Sequence, residues 1–340
     1  MQIDTQTRCS IFNMNEVRKA IVSQAVSRLL VDEESAGQRL DNFLVRILKG
    51  VPKSHLYRIV RSGEVRINGG RVEVSYRIKS GDEVRVPPIR VSPPNDLQKN
   101  PVNATRAKAV GFPVLFEDDA LLVIDKPAGI AVHGGSGLDF GLIEALRAQR
   151  PEARFLELAH RLDRETSGVL LIGKKRSSLK VLHDMFRHGG SDKRYLALVA
   201  GNWTDAVKDV RLPLNKYLTS EGERRVAVGG DEGKFAHTIF RKRQSGDRFS
   251  LIEAQLKTGR THQIRVHLAH LGFPIAGDDK YGDFSLNKKL VGEGLKRMFL
   301  HAWRIRFPHP VSGEILTIEA PLAVELDRFV SQLKANKGLS

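Results

Sequence analysis

Between Pro87 and Phe112 the chain reads PPIRVSPPNDLQKNPVNATRAKAVGF, which holds five of its 14 prolines and almost no apolar periodicity. Proline lacks an amide donor and fixes φ, so such a stretch builds neither helix nor central strand and behaves as a semi-rigid spacer. A chain of 340 residues interrupted in this way cannot close around one core. Two domains are therefore expected, 37–87 and 113–335, joined by a linker at 88–112 and preceded by an extension, 1–36. That extension carries no assigned role and no pattern beyond a short helix suggested by EVRKAIVSQAVSRLL.

In the first domain Leu40, Phe43, Leu44, Ile47 and Leu48 fall at i, i+3, i+4, i+7 and i+8, the spacing of one buried helix face. A second short helix follows, with Ser54 as its cap, Leu56, Ile59 and Val60 inward and Gly63 as its stop. EVRINGGRVEV then predicts a hairpin, with Val65 and Ile67 on one arm, Val72 and Val74 on the other, and Asn68-Gly69 supplying the positive φ angles of a tight turn.

Charge is concentrated here. From Gly37 to Arg90 there are 12 basic and 5 acidic residues, while the whole chain carries 55 Lys and Arg against 39 Asp and Glu, a net +16. Such a balance favours polyanionic partners, nucleic acid first and anionic membrane second. Arg58 and Arg61 take the helix face left free by Leu56, Ile59 and Val60, and Arg66 and Arg71 flank the turn, so one basic surface is expected. Helix, helix and hairpin with this surface resemble the RNA-binding module typified by ribosomal protein S-four, the alpha-L motif.

The second domain alternates short apolar strands (Ala120–Ile124, Gly168–Ile172, Tyr195–Gly201) with short helices, one marked by Leu179, Leu182 and Phe186 and stopped near Gly189-Gly190. HTIFRKRQSGDRFSLIEAQL reads as two antiparallel neighbours. An α+β class with a mixed, largely antiparallel sheet is expected rather than a doubly wound parallel one.

Several function classes drop out. DFG at 139–141 and HRLD at 160–163 stand in the reverse of their order in protein kinases, and no glycine-rich loop precedes them. His262, His267 and His270 lack a further ligand and a supporting shell for zinc, and His267 shares the apolar face of Ile264, Leu268 and Leu271. A lone cysteine, Cys9, allows neither an internal disulfide nor a cysteine-based metal site. No apolar run approaches the roughly 18 residues of a membrane span, and the N-terminus has no apolar signal region. A soluble, cytoplasmic protein without a metal site is expected, and a monomer.

What remains is HRLDRETSGVLL, residues 160–171, in which Asp163 sits between Arg161 and Arg164 before an apolar strand. A carboxylate beside arginines is ordinarily a structural ion pair. A second stretch, LKTGRTHQIRVHLAHLG, changes the weighing. Gly259 turns the chain, Thr261 caps a helix with Ile264, Leu268 and Leu271 inward, and Arg265 projects beside that buried face. An arginine so placed needs a carboxylate, and Asp163 is a fitting partner, which favours the ionised form. Glu165 points elsewhere in an extended segment, so a paired-carboxylate glycosidase is not supported.

Together with VIDKPAGIAVHGG (123–135), KRYLALV (193–199) and GRTHQIRVHLAHLGFPIAGDDKYG (259–282), these stretches resemble the RluA-type pseudouridine synthases, and among them the branch that acts on large-subunit ribosomal RNA. The resemblance covers about residues 37–325. It implies that Asp163 is the catalytic aspartate, that Arg265 pairs with it, and that Tyr195 stacks on the target base. It further implies that Arg161 enters the gap left by a flipped nucleotide, with His160, Arg164 and Arg260 beside the RNA and Arg58, Arg61, Arg66 and Arg71 docking it. The implied reaction detaches uracil from C1′, rotates it and rejoins it through C5, without cofactor. Two other readings stand beside it: a non-catalytic RNA-binding assembly factor, and the same chemistry on transfer RNA.

Overall fold

A computed structural model describes residues 26–33, 35–48, 51, 53–89, 111–134, 141–220, 222–230 and 233–335. They fall into two compact units, divided after Pro101, within the proline-rich stretch. The linker expected at 88–112 lies mostly outside the described residues.

In the first unit β1 (Ser27–Leu30) leads to α1 (Leu40–Ile47), α2 (Lys53–Arg61), β2 (Arg66–Ile67) and β3 (Glu83–Val86). Leu40, Phe43, Leu44 and Leu48 are buried against Leu56, Ile59 and Val60, as their spacing requires. Two expectations need correction. SRLL, read as the end of a helix, is strand β1 and pairs antiparallel with β3, Ser27 opposite Val86; the earlier part of that helix lies outside the described residues. The Asn68-Gly69 turn forms, with φ of 49° and 78°. The arm paired with β2, however, is β3, so the sheet order is β1-β3-β2. Val72 and Val74 belong instead to an irregular segment whose carbonyls at Val74 and Tyr76 accept from Asp41 and Leu40 at the start of α1. Asn68 secures the correct partner, its amide donating to Asp82 Oδ1 (2.9 Å) and accepting from the Glu83 amide (2.8 Å).

The second unit runs β4 (Val114–Glu117), β5 (Leu121–Lys126), α3 (Leu142–Gln149), β6 (Glu157–Leu158), β7 (Ser167–Gly173), α4 (Arg176–His188), β8 (Asp192–Ala200), β9 (Val207–Arg211), β10 (Leu214–Leu218) and β11 (Arg224–Val228). It continues with β12 (His237–Ser245), β13 (Phe249–Leu256), α5 (Gln263–His270), α6 (Phe284–Gly292), β14 (Leu300–Pro308), β15 (Ile315–Glu319) and α7 (Val324–Ala335). The large sheet has the order β4-β5-β7-β14-β8-β13-β12-β9, with β15 beside β14 and β6 beside β7, while β10 and β11 form a separate hairpin. Among the named strands β14 and β7 alone run parallel, so the sheet is mixed and largely antiparallel as expected.

Alternate residues of β5 and β7 feed two cores. Leu122, Ile124, Leu170 and Ile172 pack on one face, Leu121, Val123, Val169 and Leu171 on the other. Burial on both faces is why VLLI is a continuous apolar run rather than an alternating one. Gly168 is required where β7 meets β14: its φ is 109°, and a Cβ there would collide with the Ala302 carbonyl. That close approach fixes the loop of residues 159–166 at the head of β7.

Candidate active site

Asp163 lies in this loop, Tyr195 on β8 and Arg265 on α5, and the three face one cavity of about 520 Å³ together with Arg161, Arg260 and His262. The volume is of the size that accommodates a small ligand or a single nucleoside. Asp163 Oδ2 is 3.6 Å from Arg265 Nη1, so the pair inferred from sequence is brought together. Arg265 is not held by Asp163 alone. Its Nε and Nη2 donate to Asp278 Oδ2 and Oδ1 at 2.7 and 2.6 Å, a bidentate contact in which both side chains are buried. Its guanidinium also lies over the Tyr281 ring, 5.0 Å from the centroid. Burial opposes the charge of Asp278, but Arg265 and the amides of Lys280 and Tyr281 hold its pKa below the ordinary carboxylate value. The Arg265 charge therefore stands permanently beside Asp163, leaving that carboxylate partly exposed and without a short hydrogen bond to either neighbour.

Helix α5 starts differently from expectation. Its cap is His262, with φ 53°, rather than Thr261. Gln263 sets this turn: its Oε1 accepts from the Arg260 amide and Thr258 Oγ1, and its Nε2 donates to the His237 carbonyl and Thr238 Oγ1. His262 in consequence faces the cavity, Nε2 3.9 Å from Asp163 Oδ1 and Nδ1 2.8 Å from the Tyr281 hydroxyl. His267 is buried, paired with Thr238 Oγ1 (3.0 Å) and the Leu212 carbonyl (3.3 Å), the packed arrangement its helix face suggested.

Tyr195 is buried beneath the cavity, and burial, reinforced by the Asp163 charge, raises its phenol far above the ordinary value. Its phenol is therefore neutral. Arg161 and Arg260 are exposed at the cavity, the latter anchored by Nε on the Phe235 carbonyl (3.0 Å). Arg164 is not among the cavity residues and pairs with Glu165 at 2.8 Å. His160 borders the cavity, but its Nε2 accepts from the Leu171 amide (3.1 Å) and burial, with Lys193 nearby, pushes its pKa down to about 3. It is a neutral strut of the loop, unsuited to hold phosphate as a cation. Arg58, Arg61, Arg66 and Arg71 are all exposed on the first unit. Arg71 lies across Gly63, where a Cβ would be 2.5 Å from its Nε, and it lines a surface recess together with Arg61.

The loop also has a buried support that sequence reading left without a role. Lys126 is fully buried and donates to the carbonyls of Pro127 (2.8 Å) and Arg164 (3.1 Å), while the Gly129 amide donates to the same Arg164 oxygen (2.9 Å). Burial, with Arg297 nearby, brings the lysine down to about 7. The stretch VIDKPAG thus clamps the backbone one residue beyond Asp163.

Residues 120–270 match the RNA pseudouridylate synthase family and residues 38–84 the S4 domain. Over 324 residues the chain is 49% identical to the ribosomal large subunit pseudouridine synthase C of Haemophilus influenzae, spanning 95% of this chain and 100% of that one. The chain belongs to the RNA pseudouridine synthase family. A protein of the same name from Escherichia coli K12 is 50% identical over 312 residues, 91% of this chain and 97% of its own. Among solved structures, human RNA Pseudouridylate Synthase Domain Containing 4 aligns with a TM-score of 0.56 at 25% identity, over 71% of this chain and 98% of that one. The chain is thus an RNA pseudouridine synthase with an S4 RNA-binding domain. In this synthase His262, Asp278 and Tyr281 join the site although composition and periodicity gave them no role. The signal available for the last two was their place in GDDKYG, four residues dense in charge between two glycines.

Proposed function

We propose that this synthase isomerises uridines of large-subunit ribosomal RNA, with Asp163 as the reacting carboxylate. The observation that carries the reading is the Asp163 carboxylate facing a nucleoside-sized cavity, with Arg265 at 3.6 Å. Asp163 attacks or deprotonates the nucleoside, the C1′–N1 bond breaks, uracil turns and C1′–C5 forms, after which the proton on C5 is lost and N1 gains one, so that the product is an isomer of the substrate. Tyr195 stacks on the base and Arg161 fills the vacated place. Extruding a base costs a few kcal/mol, and stacking on an aromatic ring returns about 1–3 kcal/mol. The isomerisation changes no oxidation state and moves no phosphate, so it runs without cofactor. Residues 113–335 carry the chemistry, residues 37–87 with β1 dock the RNA, and residues 88–112 link them. The protein is placed in the cytoplasm, as a monomer. The target class is supported by the names of the two bacterial relatives.

The test is pseudouridine mapping of unmodified large-subunit ribosomal RNA, naked and in ribosomal precursors, beside transfer RNA. New pseudouridines in the large-subunit RNA are expected. Modification confined to transfer RNA would overturn the target, and modification of neither would favour an assembly factor. The docking surface has its own check: charge reversal at Arg58 and Arg61 should weaken RNA binding and flatten its salt dependence by roughly 0.7–0.9 log units for each phosphate no longer neutralised. An unchanged slope would place the docking surface elsewhere.

A further inference from the structure

His262 occupies a left-handed backbone position, and among the described residues Asn68 is the other non-glycine residue with positive φ. Strain of this kind persists where surrounding contacts over-determine it, commonly at functional sites. Here both ring nitrogens have a neighbour. The Tyr281 hydroxyl oxygen accepts from the Val226 amide at 3.0 Å and lies 2.8 Å from His262 Nδ1. With its oxygen already accepting there, the hydroxyl has its proton free to point at Nδ1, and in that arrangement the ring proton sits on Nε2. Nε2 is the nitrogen directed at Asp163 Oδ1, 3.9 Å away. Burial, opposed by Asp163 and assisted by Arg265, lowers the pKa of the imidazole, and the ring stays neutral.

We propose that His262 is a positioning residue for Asp163: its Nε2–H, oriented by Tyr281, meets Oδ1 while Arg265 holds Oδ2, so that one donor on each oxygen fixes the plane of the carboxylate. The inference rests on Asp163 being the reacting group. A neutral donor suits the task, because it aims the oxygen without adding a second full positive charge beside a group that must act as nucleophile or base. The gap exceeds a hydrogen bond and closes when a nucleoside fills the cavity, as catalytic contacts in unliganded sites commonly do. Both donors trace to one short loop, since Asp278 anchors Arg265 and Tyr281 orients His262.

Two substitutions separate positioning from mere packing. Asparagine adopts the left-handed conformation readily, but its amide is short and ends near where Nδ1 lies. Glutamine keeps the backbone strain yet carries its amide nitrogen to about the position of Nε2. Single-turnover pseudouridine formation, RNA affinity and melting temperature are measured for wild type, H262N, H262Q, Y281F, the H262N/Y281F double variant and D163N, on the RNA that wild type modifies. H262N should melt no lower than wild type, bind RNA equally and react about 10–100-fold more slowly, the penalty of a misaimed group. H262Q should recover most of that loss. Y281F should slow the reaction by a smaller factor and add nothing in combination with H262N. H262N at the wild-type rate, or H262Q folded and as slow as H262N, would overturn the inference. A fully active D163N would instead remove the premise about Asp163, so the two failures are distinguishable.

Discussion

Asp163→Asn is expected to slow single-turnover pseudouridine formation by on the order of 10⁴-fold or more, as removal of the central group of a catalytic unit does. RNA affinity should stay within a few-fold of wild type. The amide is isosteric, but its nitrogen is neither nucleophile nor base, so the chemistry fails while the cavity keeps its shape. The fold should hold. The approaches of Arg265 and His262 to Asp163, 3.6 and 3.9 Å, are longer than hydrogen bonds, and an amide there breaks neither. Arg265 retains Asp278 at 2.6 and 2.7 Å, so no buried charge is orphaned. Quench-time measurement of pseudouridine with protein in excess over RNA, beside a binding titration, reads both quantities. A rate within tenfold of wild type would remove Asp163 from the reaction.

The parts of this architecture legible in the sequence are those in which the cause is local. Leu40, Phe43 and Leu44 declare a helix because its period is written in neighbouring residues. VLLI declares a strand covered on both faces. Asn68-Gly69 declares its turn, since the needed φ angles belong to those two residues. The partner of that turn's first arm was not legible. The pairing of β2 with β3 depends on Asn68 reaching Asp82 and Glu83, across a segment whose Val72 and Val74 offer the same alternation as a strand. β1 was illegible for the same reason, because SRLL acquires its conformation from Glu83–Val86, more than fifty residues away. In the active site the pair Asp163–Arg265 could be inferred from an arginine flanking an apolar helix face. Its arithmetic was incomplete: one buried guanidinium takes two carboxylates, and spacing alone does not say which holds it and which is left to react.

That division of labour has a measurable consequence at Asp278. Asp278→Ala is expected to lower the melting temperature of the catalytic unit by roughly 6–20 °C, taking about 3–5 kcal/mol for breaking a buried ion pair and the usual slope for a unit of this size. Alanine strands the Arg265 charge, and it also removes the acceptor of the Lys280 and Tyr281 amides, now at 2.8 and 3.0 Å from Oδ1. Asp278→Asn keeps an oxygen for those amides and loses the charge alone, so its effect should be smaller. In the alanine variant Arg265 has Asp163 and the exposed Asp279 as its remaining carboxylates. Without Asp278 to hold it, the guanidinium should turn to take both Asp163 oxygens and displace His262 from Oδ1, so the folded fraction also turns over more slowly. The drop in stability should therefore be largest in Asp278→Ala, smaller in Asp278→Asn and smallest in Asp163→Asn, while the rate falls furthest in Asp163→Asn. Melting curves and single-turnover rates on the same preparations give both orders. If Asp163→Asn destabilised the protein as much as Asp278→Ala, Asp163 would be a structural partner of Arg265, and the separation of a holding carboxylate from a reacting one would be lost.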